Sequence, residues 1–363
     1  MSATTNPGTP VQGVTLYSFT RLFHSRQISF EDLIRNVAKR GLGPGLEIVG
    51  FQSIREFPNV GDDFIRRFRS IIDETGLVPS AFGANADANL RRDRPLSNDE
   101  LVEYMTKQIV VAKKLGFPVV RLQYALSPDD MERLLPIAER EGVRLGIEIH
   151  AHHSVKHPVF QAHLERFEKL GSPYLGFIPD WGVSMYQFPR TLLESYRKKG
   201  IPEVVIAMAE SHWNEAHKRG QLIDDHAIHE EMVQFAEKAA PLCGQETAFS
   251  IAIQAVGMFG HQSPQAWAEV LPWAVHTHGK FYEIDSTGTE TSVPLPEIIK
   301  EYVDAGYSNV ISSEYEGFHW NTWDDPFDQI AGQQAALRKA ALAAGSRLIT
   351  DTEEARKLSG VTV

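Results

Sequence analysis

The stretch "LGIEIHAHHSVKH" runs from Leu145 to His157 and carries Glu148 followed by His150, His152, His153 and His157. These side chains bind divalent metals or move protons near neutral pH. Similar types recur at three later points: Asp180 in "GFIPDWG", His276, His278 and Lys280 in "VHTHGKF", and Glu314 and Glu316 in "SSEYEG". Taken singly, each has an ordinary reading. An aspartate after an apolar run usually caps a turn, and an isolated histidine is usually structural. Lys280 reads equally as a salt-bridge partner, and His276 as a core histidine one layer below His278.

Together they say more. Side chains alternate along a strand, so residues two apart share a face. Glu148 with His150, His276 with His278 and Lys280, and Glu314 with Glu316 each satisfy that spacing. If those faces converge, several carboxylates meet at one point and repel each other. A divalent cation removes the conflict. Two or three carboxylates plus one imidazole suit Mn²⁺ first, with Mg²⁺, Co²⁺ or Fe²⁺ as substitutes, rather than a sulfur-rich zinc site.

Convergence needs a scaffold, and the hydrophobic pattern supplies one. Strands are expected at 13–19, 45–51, 77–84, 118–124, 143–150, 174–180, 273–284 and 309–317. Amphipathic helices are expected between them at 29–41, 62–76, 97–116, 127–142 (despite Pro136), 158–171 and 294–306, with a last one at 329–345. Ser29 reads as an N-cap with Asp32 at the capping-box position. Regular strand–helix alternation implies a parallel sheet, and eight units imply a closed (β/α)8 TIM barrel. The open doubly wound alternative usually places a glycine-rich loop after its first strand. Here "YSFTRLFH" follows, without glycine. We read residues 10–363 as one barrel domain, with a helical insertion at 186–270 and a C-terminal extension at 321–363. In such a barrel the polar groups singled out above stand at strand C-termini, where barrel chemistry resides.

Bulk properties agree. The chain has 363 residues, 42% hydrophobic and 23% charged, as expected of a globular protein. Net charge is −11, which disfavours nucleic acid or an anionic membrane as main partner. The single cysteine, Cys243, precludes an intrachain disulfide and fits a cytoplasmic setting. Neither a signal-peptide pattern nor a membrane-length apolar run stands out.

The motifs "GIEIH", "FIPDWG", "VHTHGKF" and "ISSEYEG", in that order on the last four strands, resemble the xylose-isomerase-like superfamily of sugar isomerases, epimerases and related barrels. The likeness spans residues 10 to 320. It implies that Glu148, Asp180, His278 and Glu314 bind one divalent metal, with Glu148 and Glu314 as paired acid–base groups. It departs from that pattern at Val183, where many such epimerases carry a substrate-holding histidine. The long insertion, the "EIHAHH" cluster and the C-terminal helices are most similar to the alpha subunits of bacterial C-glycoside deglycosidases. Those are metal-dependent barrels that pair with a small beta subunit and act on 3-keto C-glycosides.

That narrower resemblance implies C–C bond cleavage by enolate formation and β-elimination, on a small-molecule glycoside or keto-sugar. His150 is then the first candidate for the base, and Lys280 or Glu316 could assist in proton return. His152, Trp181, Gln123 and Glu316 are candidate substrate contacts. His153 and His157 are expected in a solvated loop, and His226 and His229 on a solvated helix face rather than at a second metal. Ketose isomerisation or epimerisation is the alternative reaction. A scaffold barrel using exposed Trp213 and Trp320, or a nuclease, is the alternative class. The candidate ligands argue against the first and the charge against the second.

Overall fold

A computed structural model of the chain describes residues 7–220 and 222–359. Its strands are β1 Val11–Thr15, β2 Gly45–Val49, β3 Val78–Gly83, β4 Val119–Leu122, β5 Arg144–Ile149, β6 Leu175–Pro179, β7 Thr277–Phe281 and β8 Val310–Tyr315. Nearly every strand residue is buried, as expected of parallel strands covered by helices. All pairings are parallel, in the order β6-β5-β4-β3-β2-β1-β8-β7. The ends of that order meet through bridges Phe177↔Ala274 and Asp180↔His278, with Val275 N–H donating to the Phe177 carbonyl at 3.0 Å. These bridges bring the sheet nearly to closure, into the barrel that the sequence predicts.

Helices follow the strands: α1 Phe30–Lys39, α2 Asp62–Thr75, α3 Asn98–Leu115, α4 Pro128–Glu141 and α5 Pro158–Leu170. Their starts are chemically specified. Ser29 Oγ accepts from the Asp32 amide at 3.1 Å, and Ser97 with Glu100 and Ser127 with Asp130 form full capping boxes. Between β6 and β7 lie α6 Arg190–Lys198, α7 Glu203–Arg219, α8 Asp225–Cys243 and α9 Gln245–Ala252, the helical insertion anticipated. Then come α10 Leu295–Asp304, α11 Pro326–Ala343 and α12 Thr352–Ser359. None of the described helices is long and apolar enough to cross a membrane.

Three expectations need correction. The first strand ends at Thr15, because Leu16–Phe19 closes into a 3-10 turn capped by the Thr15 hydroxyl. The stretch beginning at 321 is not all extension. In α11, Gln333 donates to the Gly279 carbonyl at 2.6 Å and Gln334 to the Leu42 carbonyl at 2.9 Å. It is the eighth barrel helix, and the extension proper follows it. Ile349 pairs with Val11, and Ala355 joins Val11, Val78 and Ile349 in a small apolar cluster at the barrel's N-terminal end. Finally, Trp213 and Trp320 are not exposed but buried, at 0% and 4%. Their apolar rings hold the insertion and the region after β8 onto the core instead of forming an interaction surface.

The lower barrel interior is packed by Ala81, Val119, Ile178 and Val275. Gly146 faces them, and a Cβ there would stand 2.6 Å from Ile178 Cγ1. This dry layer forces the polar residues upward to the strand C-termini, where the strands can present them to a cavity.

Candidate active site

Register brings the polar strand ends level. Lys280 pairs with Glu314 and Asp180 bridges to His278. On β7, His278 and Lys280 point inward past the intervening Gly279, whose side an added Cβ would fill against Ile311 and Trp181. Glu148, Asp180 and His278 each offer a ligand atom, all within 4.8 Å of one another. Glu148 Oε1 lies 2.6 Å from His278 Nδ1, and Glu314 Oε2 lies 3.7 Å from it. Lys280 Nζ donates to Asp180 Oδ2 at 2.5 Å and ion-pairs with Glu316 at 3.2 Å and Glu314 at 3.7 Å. The structure thus gathers the residues expected to ligate, together with Lys280 and Glu316.

Charge in this group is unbalanced. Burial comes first in pushing the Glu314 carboxyl up to about 8; His278 and Lys280 oppose this, while Asp180 and Glu316 add to it. Its Oε2 is buried with no hydrogen-bond partner among the described residues. Burial disfavours charge on His278 and Lys280 as well, yet the surrounding carboxylates hold both well above their ordinary values. A buried carboxylate oxygen without a donor, beside two further carboxylates and an imidazole, fits a divalent cation with oxygen-rich coordination.

His278 is held from behind by a residue missed in the sequence reading. Glu47, on β2, takes His278 Nε2 at 2.9 Å and His276 Nε2 at 3.1 Å. Burial opposes ionisation of Glu47, but the two histidines hold its carboxyl far below the ordinary range. With one nitrogen fixed by a carboxylate, the other is oriented toward Glu148 and Glu314, the usual support for a metal-bound imidazole. The available signal was a lone glutamate inside the apolar run "GLEIV". His276 lies beneath, also bonded to Ser312 Oγ at 3.0 Å, and occupies the core layer expected of it. Arg121, on β4, was missed too; its Nε stands 3.7 Å from Glu148 Oε2.

Of these groups Arg121, Glu148, Lys280, Glu314 and Glu316 line a cavity of about 240 Å³ at the barrel mouth. His150 lines one wall. Its Nδ1 lies 2.5 Å from its neighbour's carbonyl oxygen at Ala151 and its Nε2 lies 2.9 Å from Lys280 Nζ. The carbonyl can only accept and the ammonium only donate, so Nδ1 carries the proton and Nε2 presents a lone pair. Gln123 and Glu316 also line the cavity, and Gln123 Oε1 is braced by the Ala86 amide at 3.1 Å. Tyr17, Phe51 and Tyr124 form an aromatic edge, with Phe51 and Tyr124 about half exposed.

Two expected substrate contacts lie elsewhere. Trp181 is fully buried and donates its indole N–H to Tyr302 Oη at 3.0 Å, so it backs the wall instead of facing the cavity. His152 turns away from the cavity to Asp225 Oδ1 at 3.0 Å. His153 and His157, expected in solvent, are 2% and 4% exposed and face the same carboxylate. Burial, then the neighbouring imidazoles, hold His153 down to about 4. Val183, the departure from the expected pattern, is buried.

The model of the xylose isomerase-like TIM barrel family matches residues 37–340. A xylose isomerase domain protein from Planctomyces limnophilus shares the fold with a TM-score of 0.50 at 11% identity, over 93% of this chain and 99% of that one. A 3'-dehydrocarminate deglycosidase alpha subunit from a Microbacterium species is 50% identical over 330 residues, 91% of this chain and 95% of that protein. A C-glycoside deglycosidase alpha subunit from Arthrobacter globiformis is 47% identical over 355 residues, 98% of this chain and 97% of that protein. The chain belongs to the xylose isomerase-like TIM barrel family and, within it, to the group of C-glycoside deglycosidase alpha subunits.

Proposed function

We propose that the chain is the catalytic subunit of a metal-dependent C-glycoside deglycosidase that cleaves the C–C glycosidic bond of 3-keto C-glycosides as a lyase. One observation carries the reading. Glu148, Asp180, His278 and Glu314 converge beside a base-form His150 at an aromatic-edged cavity. They do so in a chain up to 50% identical to deglycosidase alpha subunits, one of them named for a 3'-dehydro glycoside.

A carbon leaving group cannot be released merely by protonating an oxygen. A ketone at C3 makes the C2 proton acidic. His150 Nε2, released when Lys280 turns to its carboxylate partners Asp180 and Glu316, takes that proton, and the electron pair left at C2 forms an enolate with C3. When the ketone reforms, C1=C2 becomes a double bond and the C1–aglycone bond breaks, its electrons leaving with the aglycone carbon. That carbon takes a proton, supplied by Lys280 or Glu316. Each is within hydrogen-bond reach of the other at 3.2 Å, so a proton given to substrate can be replaced. Phe51 and Tyr124 offer faces on which an aromatic aglycone can stack, while Gln123 and Glu316 bind sugar hydroxyls.

Glu148, Asp180, His278 and Glu314 would hold the metal, Mn²⁺ being the first choice for three carboxylates and one imidazole. When bound it supplies Lewis acidity toward the oxygen on which negative charge develops. The relatives are named alpha subunits, and we extend to this chain a small beta subunit as partner. A cytoplasmic setting accords with its single cysteine.

A paired assay with Mn²⁺ tests the reading. One arm offers a 3-keto C-glycoside with the beta subunit added, the other offers free ketoses. Aglycone release confined to the first arm is expected. Epimerised ketose in the second, without aglycone in the first, would sink the deglycosidase reading in favour of a sugar epimerase.

A further inference from the structure

The loop after β5 and the first turn of α8 meet in a second histidine–carboxylate cluster outside the barrel mouth. His152 Nε2 and His153 Nε2 each lie 3.0 Å from Asp225 Oδ1, and the three ligand atoms are within 4.8 Å of one another. We propose that His152, His153 and Asp225 form a second divalent-cation site, of the two-imidazole, one-carboxylate kind suited to zinc.

Three features separate this cluster from a surface ion pair. First, its imidazoles are packed together, with ring centroids 4.3 Å apart for His152 and His153 and 4.1 Å for His153 and His157. Side-by-side imidazolium ions would repel at that spacing, whereas neutral rings offer lone pairs to a metal. Second, His153 is 2% exposed, so its nitrogen faces the carboxylate from a dry side. Third, His157 is placed to orient the site. Its Nδ1 accepts the Val159 amide at 3.4 Å, which leaves Nε2–H directed at Asp225 Oδ1, 3.5 Å away. A histidine that donates to a ligating carboxylate fixes that carboxylate's direction. Asp225 remains 60% exposed on its side chain, so water can complete the coordination, as zinc sites with three protein ligands require.

The ligands come from segments 72 and 73 residues apart. An ion there would fasten the insertion to the loop after β5. Tyr124, on the cavity edge, packs its ring 4.7 Å from that of His153, so the fastening lies beside the substrate entrance.

The experiment is metal counting on the full chain. Protein stripped with dipicolinate is reloaded with Zn²⁺ or Co²⁺ alone and analysed by mass spectrometry and visible absorption. Wild type is expected to hold two ions per chain, Asp225→Asn one and Glu314→Gln one. The ion retained by Glu314→Gln should give the intense Co²⁺ absorption of a low-coordinate, nitrogen-rich site. His153→Gln provides a second variant, and circular dichroism verifies that each is folded. Wild-type metal content in both Asp225→Asn and His153→Gln would overturn the proposal. So would a wild type holding one ion that Glu314→Gln loses. One wild-type ion kept by Glu314→Gln but lost by Asp225→Asn would support the second site and refute the barrel-mouth one.

Discussion

The two histidine–carboxylate clusters are built by different means. At the barrel mouth, Glu148, Asp180, His278 and Glu314 come from four strands whose register is fixed by ladder hydrogen bonds and whose inward faces are fixed by parity. In the outer cluster, two loop histidines meet Asp225 at the start of an inserted helix. A rigid sheet holds reacting groups in place through a catalytic cycle. A loop joined to an insertion is held only as firmly as the contacts that join it, so a metal there would serve to fasten it. The same residue types can therefore do chemistry in one place and bracing in the other.

Substitutions separate the two roles. The largest effect is expected from Glu314→Gln, which removes one proposed ligand and the carboxyl whose Oε2 is otherwise orphaned; aglycone release should fall to background and barrel metal should be lost, checked by assay and metal analysis. His150→Gln should lower kcat by roughly 10²–10⁴-fold, the usual contribution of a general base, with metal content intact. Equal metal and undiminished kcat in that variant would move the base elsewhere. Glu47→Gln, which weakens the support of His278, should reduce metal affinity by about 10–100-fold, read by competition with a chromogenic chelator. Asp225→Asn should leave turnover of the Mn²⁺-loaded enzyme nearly unchanged. It should abolish only the further stabilisation that Zn²⁺ gives the Mn²⁺-loaded enzyme through the outer site, about 2.7 kcal/mol at a hundredfold excess over Kd, seen as a lost additional shift in Tm. If Asp225→Asn instead behaved like Glu314→Gln, the division between chemistry and bracing would collapse.

The barrel-mouth cluster was legible in the sequence because a strand converts spacing into direction. "GIEIH" and "VHTHGKF" could each be assigned a face from residue number alone. Glu47 obeys the same rule on β2 but stands without a second polar residue two positions away within "GLEIV", so parity had nothing to reinforce it. The outer cluster could not be read that way. His152 and His153 lie beyond the strand, where residue spacing no longer sets direction, and their partner is 72 residues or more further along. Amphipathic periodicity placed helices in the insertion but carried no information on which helix start would meet the loop. Burial of Trp213 and Trp320 was hidden for the same reason: Trp213 in a polar helical segment and Trp320 in the turn after β8 face the core only because the tertiary packing turns them there. The role of α11 was obscured by its weak alternation of apolar and polar residues, and became clear only from the amides of Gln333 and Gln334 bonded to barrel carbonyls.

Removal of the C2 proton by His150, proposed to precede carbon–carbon cleavage at the barrel mouth, is the step on which the chemistry depends. It is tested most directly with a 3-keto C-glycoside carrying deuterium at C2, incubated with the Mn²⁺-loaded chain and its beta subunit. The expected result is aglycone release matched by loss of the deuterium, and a sugar product with a C1=C2 double bond. Aglycone released while the deuterium stays on C2 would contradict it.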